Sequence, residues 1–393
     1  MGMAPLVLIA NPGSASRKYA VYRGKVCLAQ LHFEHMADRV TCTLSQEDEP
    51  REVEAGISEL DAAAGQLLPI LLREGILQPD DEIHKVGLRI VAPHAFFLQD
   101  QIVDDGVVAQ LEALLPRAPL HIRATLNELR VLREQFPAAE AIGISDSAFH
   151  ITKPDYAWNY AIPLRDADQF DIKRFGYHGL SAAAAVHSLH SIEKLPPKVI
   201  ICHLGSGVSV TAVHQGKSLD TTMGYSPLEG PAMATRSGTI DPTAVRALQQ
   251  VLGLDDEAMQ EYLNKHSGLL GLSGRSSDVR DLLQFEAEGD HYAHLALQVF
   301  VYNIQKAVGQ MATVLGGADI LVFTGAMGER SAVIRERILH TLHFLDFMVD
   351  SHANNRCIAP QEVTLISKIA HSRPVFVIPT DEAGEMLRRI AKL

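Results

Sequence analysis

Residues 199–242 constrain the fold more than any other stretch: V-I-I-C-H-L-G-S-G-V-S-V-T-A-V-H-Q-G-K-S-L-D-T-T-M-G-Y-S-P-L-E-G-P-A-M-A-T-R-S-G-T-I-D-P. Runs of β-branched residues punctuated by glycine favour a β-meander over a helix. The expected order is a buried strand at 199–202, a turn at Gly205, Ser206 and Gly207, a second strand, a turn at Gly216 and a third strand. A loop follows in which Arg236 stands between small residues. Gly-Ser-Gly leaves successive backbone N–H groups open to an anion, as a phosphate cradle requires.

The same pattern opens the chain. Shifted by 192 residues, 7–25 lies on 199–217 without a gap, and eight of the nineteen positions are identical. Two similar domains are expected, each opening with strand, phosphate turn, strand. The fold class is then α/β, with two duplicated domains and a nucleotide cleft between their facing turns. Such a cleft implies a hinge, and closure on substrate that excludes water. The first domain should span 1–152 and be completed by a C-terminal helix at about 383–393, because chain ends tend to lie close together. The second should span 153–382.

At 393 residues the chain is long enough for both domains to bury a core. No apolar run approaches transmembrane length, the run at 6–10 is too short for a signal-peptide core, and Leu6 stands where myristoylation wants Ser or Thr. A cytosolic chain is expected, with no membrane partner. Cys27, Cys42, Cys202 and Cys357 have no C-x-x-C spacing, so each reads as a buried thiol rather than part of a zinc site or disulfide framework. A net charge of −12 argues against a nucleic-acid partner and requires that any polyphosphate be met by local cations.

Taken in order, the first hairpin crowds Asn11, Ser14, Ser16 and Lys18 around its turn. Residues 56–76 have helical spacing and end at Gly75. Residues 85–91 read as a buried strand carrying one charge, Arg89, which is either a site residue or half of a structural ion pair. Helices are expected at 106–116 and 122–135, with the loop A-P-L-H between them. Residues 141–149 read as a strand that runs into a turn, which places Asp146 at a carboxyl strand edge, where active residues of open α/β sheets collect, unless it caps the next element. F-G-Y-H-G at 175–179 is a glycine loop holding His178, ahead of a helix at 181–190. Ser276, Ser277 and Asp278 form an N-cap cluster, and 291–315 a long helix. After a buried strand at 320–324, G-A-M-G-E-R reads as a turn feeding a helix from Ser331.

Two familiar motifs fail. Gly216-Lys217-Ser218 ends like a Walker A loop, but Thr211 stands at the required earlier glycine. Val210 likewise stands where a dinucleotide fingerprint needs its third glycine.

The blocks I-C-H-L-G-S-G-V-S-V, S-P-L-E-G-P-A-M-A-T-R-S-G-T-I-D-P, F-G-Y-H-G, L-N-K-H-S-G-L-L-G-L-S-G-R-S-S-D-V-R-D and V-F-T-G-A-M-G-E-R closely resemble the acetate kinase family, over nearly the whole chain. The resemblance implies an actin-like (ribonuclease H-like) fold of the sugar-kinase superfamily and reversible phosphoryl transfer between ATP and a short carboxylic acid. It implies Mg²⁺, or Mn²⁺ in its place, and a homodimer. Asn11 and Glu382, with Asp146, would be the metal-linked groups, reached mostly through water. Ser14, Ser16 and Lys18 match phosphate contacts, as do His203, Leu204, Gly205, Ser206 and Gly207. Arg89 and Arg236 match the arginines around the acyl and phosphoryl groups, His178 the transition-state histidine and His121 a neighbouring one. Asp278, Val279 and Arg280, with Ala326, Met327, Gly328, Glu329 and Arg330, match adenosine-binding segments. Val91, Leu120, Tyr177 and Pro227 match the apolar pocket for the acyl tail.

These residue types suit the chemistry. A carboxylate is already ionised at pH 7 and needs no general base, so Asp146 is assigned to positioning. The obstacle is repulsion between two anions, which arginines, a histidine donor and Mg²⁺ relieve. The chain departs from the family pattern at Ala92-Pro93-His94, Ser206, Ala326, Arg330 and Tyr177. The competing readings are a kinase for another short acid or donor, and a nucleotide-binding paralogue with little turnover.

Overall fold

The computed structural model describes residues 4–13, 16–36, 39–46, 49–190, 196–368 and 370–393. Ser14 lies outside the described residues, as do the side chains of Leu120 and His121. The chain divides into two compact units, Met1–Ala148 with Glu382–Leu393, and Phe149–Asp381.

In the first unit β1 (Leu6–Pro12), β2 (Ser16–Arg23), β3 (Val26–Met36), β4 (Arg39–Gln46) and β5 (Glu49–Val53) form an antiparallel meander. β6 (Ile83–Ile90) and β8 (Glu140–Ser145) extend it as parallel strands, and β7 (Gln101–Ile102) closes the edge, giving the order β5-β4-β3-β2-β1-β6-β8-β7. β1 is central and buried from Leu6 to Asn11, so it reads as a continuous apolar run instead of alternating.

In the second unit β9 (Lys198–Leu204), β10 (Val208–His214) and β11 (Lys217–Thr221) form the meander. β12 (Ile320–Thr324), β13 (Thr364–Leu365) and β14 (Val375–Val377) complete the order β11-β10-β9-β12-β14-β13, with β9, β12 and β14 parallel. The helix His291–Leu315 buries Ala293, Ala296, Leu297, Phe300, Ile304, Val308 and Met311 at helical spacing and packs on β9–β11. The helix Gly179–His190 packs Ala182, Ala185, Val186 and Leu189 onto Val199, Ile201, Ile320 and Val322.

The repeat in the sequence is therefore a repeat in space. β9 starts and ends 192 residues after β1, and β10 starts 192 residues after β2. The order β3-β2-β1-β6-β8 in one sheet matches β11-β10-β9-β12-β14 in the other, strand for strand and direction for direction.

Four local expectations are corrected. The A-P-L-H segment is not a loop: Leu120 and His121 lie in the first turn of the helix Pro119–Gln135, where proline at N1 has its φ already set and no N–H to lose. G-A-M-G-E-R is itself a short helix, Gly325–Arg330, and Ser331 caps the next, Ala332–Leu339. Residues 56–76 split into a 3₁₀ segment, Leu60–Gln66, and an α-helix, Leu67–Arg73, because Pro69 is tolerated only in a first turn. Cys27 is exposed beside the Gly24 turn, whereas Cys42, Cys202 and Cys357 are buried. Among the described residues no helix is long and apolar enough to cross a membrane.

Candidate active site

In the first unit the site residues gather at the carboxyl ends of three adjacent parallel strands. Asn11 lies near the end of β1, Arg89 near the end of β6, and Asp146 directly after β8. Arg89 Nη1 donates to Asn11 Oδ1 (3.1 Å) and Nη2 to the fully buried Asp146 Oδ2 (2.7 Å). Asn11 Nδ2 donates in turn to Oε2 of Glu382 (2.6 Å), the first residue of the helix Glu382–Ile390. Burial alone would pull the Arg89 pKa down, but the charges of Asp146 and Glu382 raise it, so the guanidinium stays cationic. Its Nε is buried and has no hydrogen-bond partner among the described residues.

Val91 follows β6 directly. Beyond it, the His94 N–H donates to Ala92 O (3.0 Å), a tight turn that suits the fixed φ of Pro93. His94 Nδ1 then caps the turn at Ala95–Phe97 by accepting from the Phe96 N–H (3.1 Å). Ser16 and Lys18 lie on β2, with Lys18 exposed and paired in register with Asn11.

In the second unit the residues scattered over 178–236 converge on the 205–207 turn. His178 has a left-handed backbone (φ 58°), its Nδ1 is hydrogen-bonded to Ser209 Oγ (3.0 Å), and its ring lies 4.2 Å from that of His203. His203 Nδ1 bonds Ser181 Oγ (2.7 Å). The buried Arg236 donates from Nη1 to Pro227 O (3.3 Å). A Cβ on Gly207 would stand 3.1 Å from His178 Nε2 and 3.2 Å from Arg236 Nη1, and one on Gly205 3.2 Å from His203 Nε2. The glycines here make room for the histidines and the arginine.

That alters the reading of the turns as rows of open amides. The Gly205 N–H donates to Gly207 O (2.9 Å) and the Gly13 N–H to Ser16 O (2.8 Å), so the first amide of each turn closes the turn itself. Ser206 remains exposed.

Asp278 caps the helix Val279–Ala287 through the Arg280 N–H, and the Arg280 side chain holds its carboxyl below the usual range. Gly325, at φ 80°, lies so close to Leu204 that a Cβ would stand 2.7 Å from Leu204 O, which ties the helix Gly325–Arg330 to the end of β9. In that helix Ala326 and Arg330 are exposed, whereas Glu329 turns to Thr380, accepting from its N–H (3.0 Å) and Oγ1 (2.6 Å). Tyr177 is buried and its hydroxyl donates to Tyr225 O (2.7 Å).

Several residues in these networks carry no motif. Arg335 is fully buried and donates to the carbonyls of Gly328, Glu329, Asn354 and Cys357, holding the Gly325–Arg330 helix. Arg17 bonds Gly13 O and Asp61. No local sequence signal flags them: Arg17 stands between Ser16 and Lys18, and Arg335 beside Glu336 and Arg337, like ordinary solvated charges.

Two sheets of the same order, each opened by strand, glycine turn and strand, define an actin-like ATPase fold. The Acetokinase family matches residues 6–388. The chain is 35% identical to the acetate kinase of Bacillus cytotoxicus over 395 residues and 37% identical to that of Thermoanaerobacter pseudethanolicus over 405 residues, covering 98% of each chain. Among solved structures it resembles Porphyromonas gingivalis acetate kinase (TM-score 0.83, 32% identity, 99% of each chain) and a propionate kinase from Francisella tularensis (TM-score 0.86, 31% identity, 98% of each chain). The chain belongs to the acetokinase family.

Proposed function

We propose that the protein transfers the terminal phosphoryl group of ATP to acetate, reversibly, by in-line attack of the carboxylate, giving acetyl phosphate and ADP. The observation that carries this reading is Arg89, a guanidinium kept cationic by Asp146 and Glu382 whose buried Nε has no partner among the described residues. A cation so placed suits an anionic acceptor. Arg89 orients the carboxylate, and Arg236 and His178 stabilise the charge that develops on the equatorial phosphoryl oxygens. Asp146 fixes Arg89 and takes no proton.

Asn11, Asp146 and Glu382 supply only amide and carboxylate oxygens, the donor set that suits a hard ion keeping much of its water, so these residues fit Mg²⁺ and would hold it. When bound, Mg²⁺ neutralises phosphate charge. Ser14, Ser16, Lys18, His203, Leu204 and the 205–207 turn are assigned to the phosphates, and the segments 278–280 and 326–330 to adenosine. Val91, Leu120, His121, Tyr177 and Pro227 are assigned to the acyl group. The homodimer and a cytosolic location belong to the same proposal.

Hydroxylamine trapping of the acyl phosphate over a series of short acids tests it. Acetate should give the highest kcat/KM, and Arg236→Ala should lower turnover by about a hundredfold or more while ADP still binds. Near-normal turnover in that variant would refute its role. The propionate kinase neighbour favours a second reading, the same transfer to propionate. A propionate optimum in the series would select it.

A further inference from the structure

Pro227, assigned above to the acyl group, lies in a loop tied down by hydrogen bonds on both sides of it. Two phenols hold Tyr225. The Tyr225 N–H donates to Tyr160 Oη (2.9 Å), and its carbonyl accepts from Tyr177 Oη (2.7 Å). Tyr160 Oη donates onward to Glu229 Oε2, and the other oxygen of Glu229 is paired with Arg174 Nη1. Arg174 also lies over the Tyr160 ring, 5.4 Å from its centroid. Gly224 has no room for a side chain, since a Cβ would overlap Glu229 Oε2 and Tyr160 Oη. The loop is thus fixed at 225 by two phenols and at 229 by an ion pair. Between them the buried Pro227 presents its ring, and its carbonyl holds Arg236 (3.3 Å).

We propose that Tyr160 and Tyr177 clamp the backbone of Tyr225 and thereby determine which acids the protein accepts. Tyr177 is a positioning residue as well as a lining one. Its hydroxyl is engaged by a carbonyl of the protein, so it does not make the acyl site polar. It makes the wall at Pro227 rigid. An apolar wall that cannot retreat rejects an extra methylene by about ten- to two-hundredfold, and one that yields gives up part of that discrimination. Arg174 and Glu229 keep Tyr160 in place, and burial and the adjacent Glu229 raise its pKa, so the phenol stays a donor.

The inference rests on the acyl-phosphate reading, and one experiment separates the two. The full chain, with Mg²⁺ and ATP, is assayed by hydroxamate formation from acetate, propionate and butyrate, as wild type and as Tyr177→Phe, Tyr160→Phe and Tyr225→Phe. Both clamp variants should lower the acetate-to-propionate ratio of kcat/KM by about fivefold or more, chiefly through KM for the acid. KM for ATP should stay within about twofold. Tyr225→Phe, which keeps the clamped backbone groups, should retain the wild-type ratio. Equal losses on all three acids, or an unchanged ratio in both clamp variants, would overturn the clamp alone. No hydroxamate from any acid with the wild type would overturn the acyl-phosphate reading and this inference with it.

Discussion

Lys153 shows how one buried charge tunes the second unit. It is 4% exposed, its Nζ donates to Arg174 O, and it lies 4.5 Å from the centre of the Trp158 ring. Burial lowers its pKa to about 8, Arg174 pushes in the same direction, and Asp220 and Glu229 oppose the shift. In the unfolded chain the amine titrates near its ordinary value of 10.5. Between pH 8 and 10.5 the unfolded state therefore binds more protons, and this group makes stability rise with pH. Below pH 8 the amine is charged in both states and the burial cost is fully present, about 3 kcal/mol at most. Lys153→Met removes the group. Urea unfolding of both proteins at pH 7 and pH 10 should show the variant losing ground to the wild type as pH rises. Parallel pH profiles would count against the shift. Burial also raises the pKa of Asp220, and burial and Glu229 hold that of Tyr160 above the ordinary phenol range.

At the scale of elements, the helix Gly325–Arg330 is too short to hold its own place. Thr380 supplies what it lacks. Its Oγ1 donates to Glu329 Oε1 (2.6 Å), accepts from the Gly325 N–H (2.8 Å) and meets Thr324 Oγ1 (2.9 Å). Thr380→Val keeps the shape but leaves these groups without the hydroxyl, a loss of about 1–3 kcal/mol. KM for ATP should rise at least several-fold with kcat less affected, and Thr380→Ser should restore it. A kcat loss at unchanged KM would show that the hydroxyl does not position the nucleotide segment.

What was legible in the sequence followed the same division. The paired hairpins were readable because β-branched runs and glycine turns repeat at a fixed shift. The long helix at 291–315 was readable from its periodicity. Buried charges satisfied by carbonyls were not. Arg335 looks like any surface arginine of an amphipathic helix, and nothing local announces that Asn354 and Cys357 will receive it. The 118–121 segment misled for a related reason: proline suggests a break, yet at the first helical position it starts the helix. Asn11, Arg89 and Asp146 could each be suspected singly, but sequence spacing could not reveal that one guanidinium bonds the other two.

Across the whole molecule the duplication explains where chemistry collects. Asn11 and His203 are equivalent positions, 192 residues apart, each next to the last residue of the first strand of its sheet. Asp146 directly follows β8, and Thr380 lies three residues beyond the equivalent strand β14. The chain then returns to complete what it began, because the helix Glu382–Ile390 packs on β1, β6 and β8 although the entire second unit intervenes in sequence. Arg389 fastens it, donating to Asp100 and to Ser145 O. Gly87 on β6 admits it, since a Cβ there would overlap Ile390 Cδ1 and stand 3.2 Å from Ile9 Cδ1. Glu382 sits at the head of this helix, so its bond to Asn11 depends on how the far end is seated. Gly87→Ala should therefore cost about 1–3 kcal/mol in urea unfolding. If Asn11 and Glu382 hold Mg²⁺ as proposed, it should also raise the Mg²⁺ concentration needed for half-maximal rate. Ile390→Val, which removes the colliding methyl, should recover part of both losses, with a coupling energy of about 0.5 kcal/mol or more in the double-mutant cycle. Strictly additive effects would mean that the strand and the returning helix do not meet at this point.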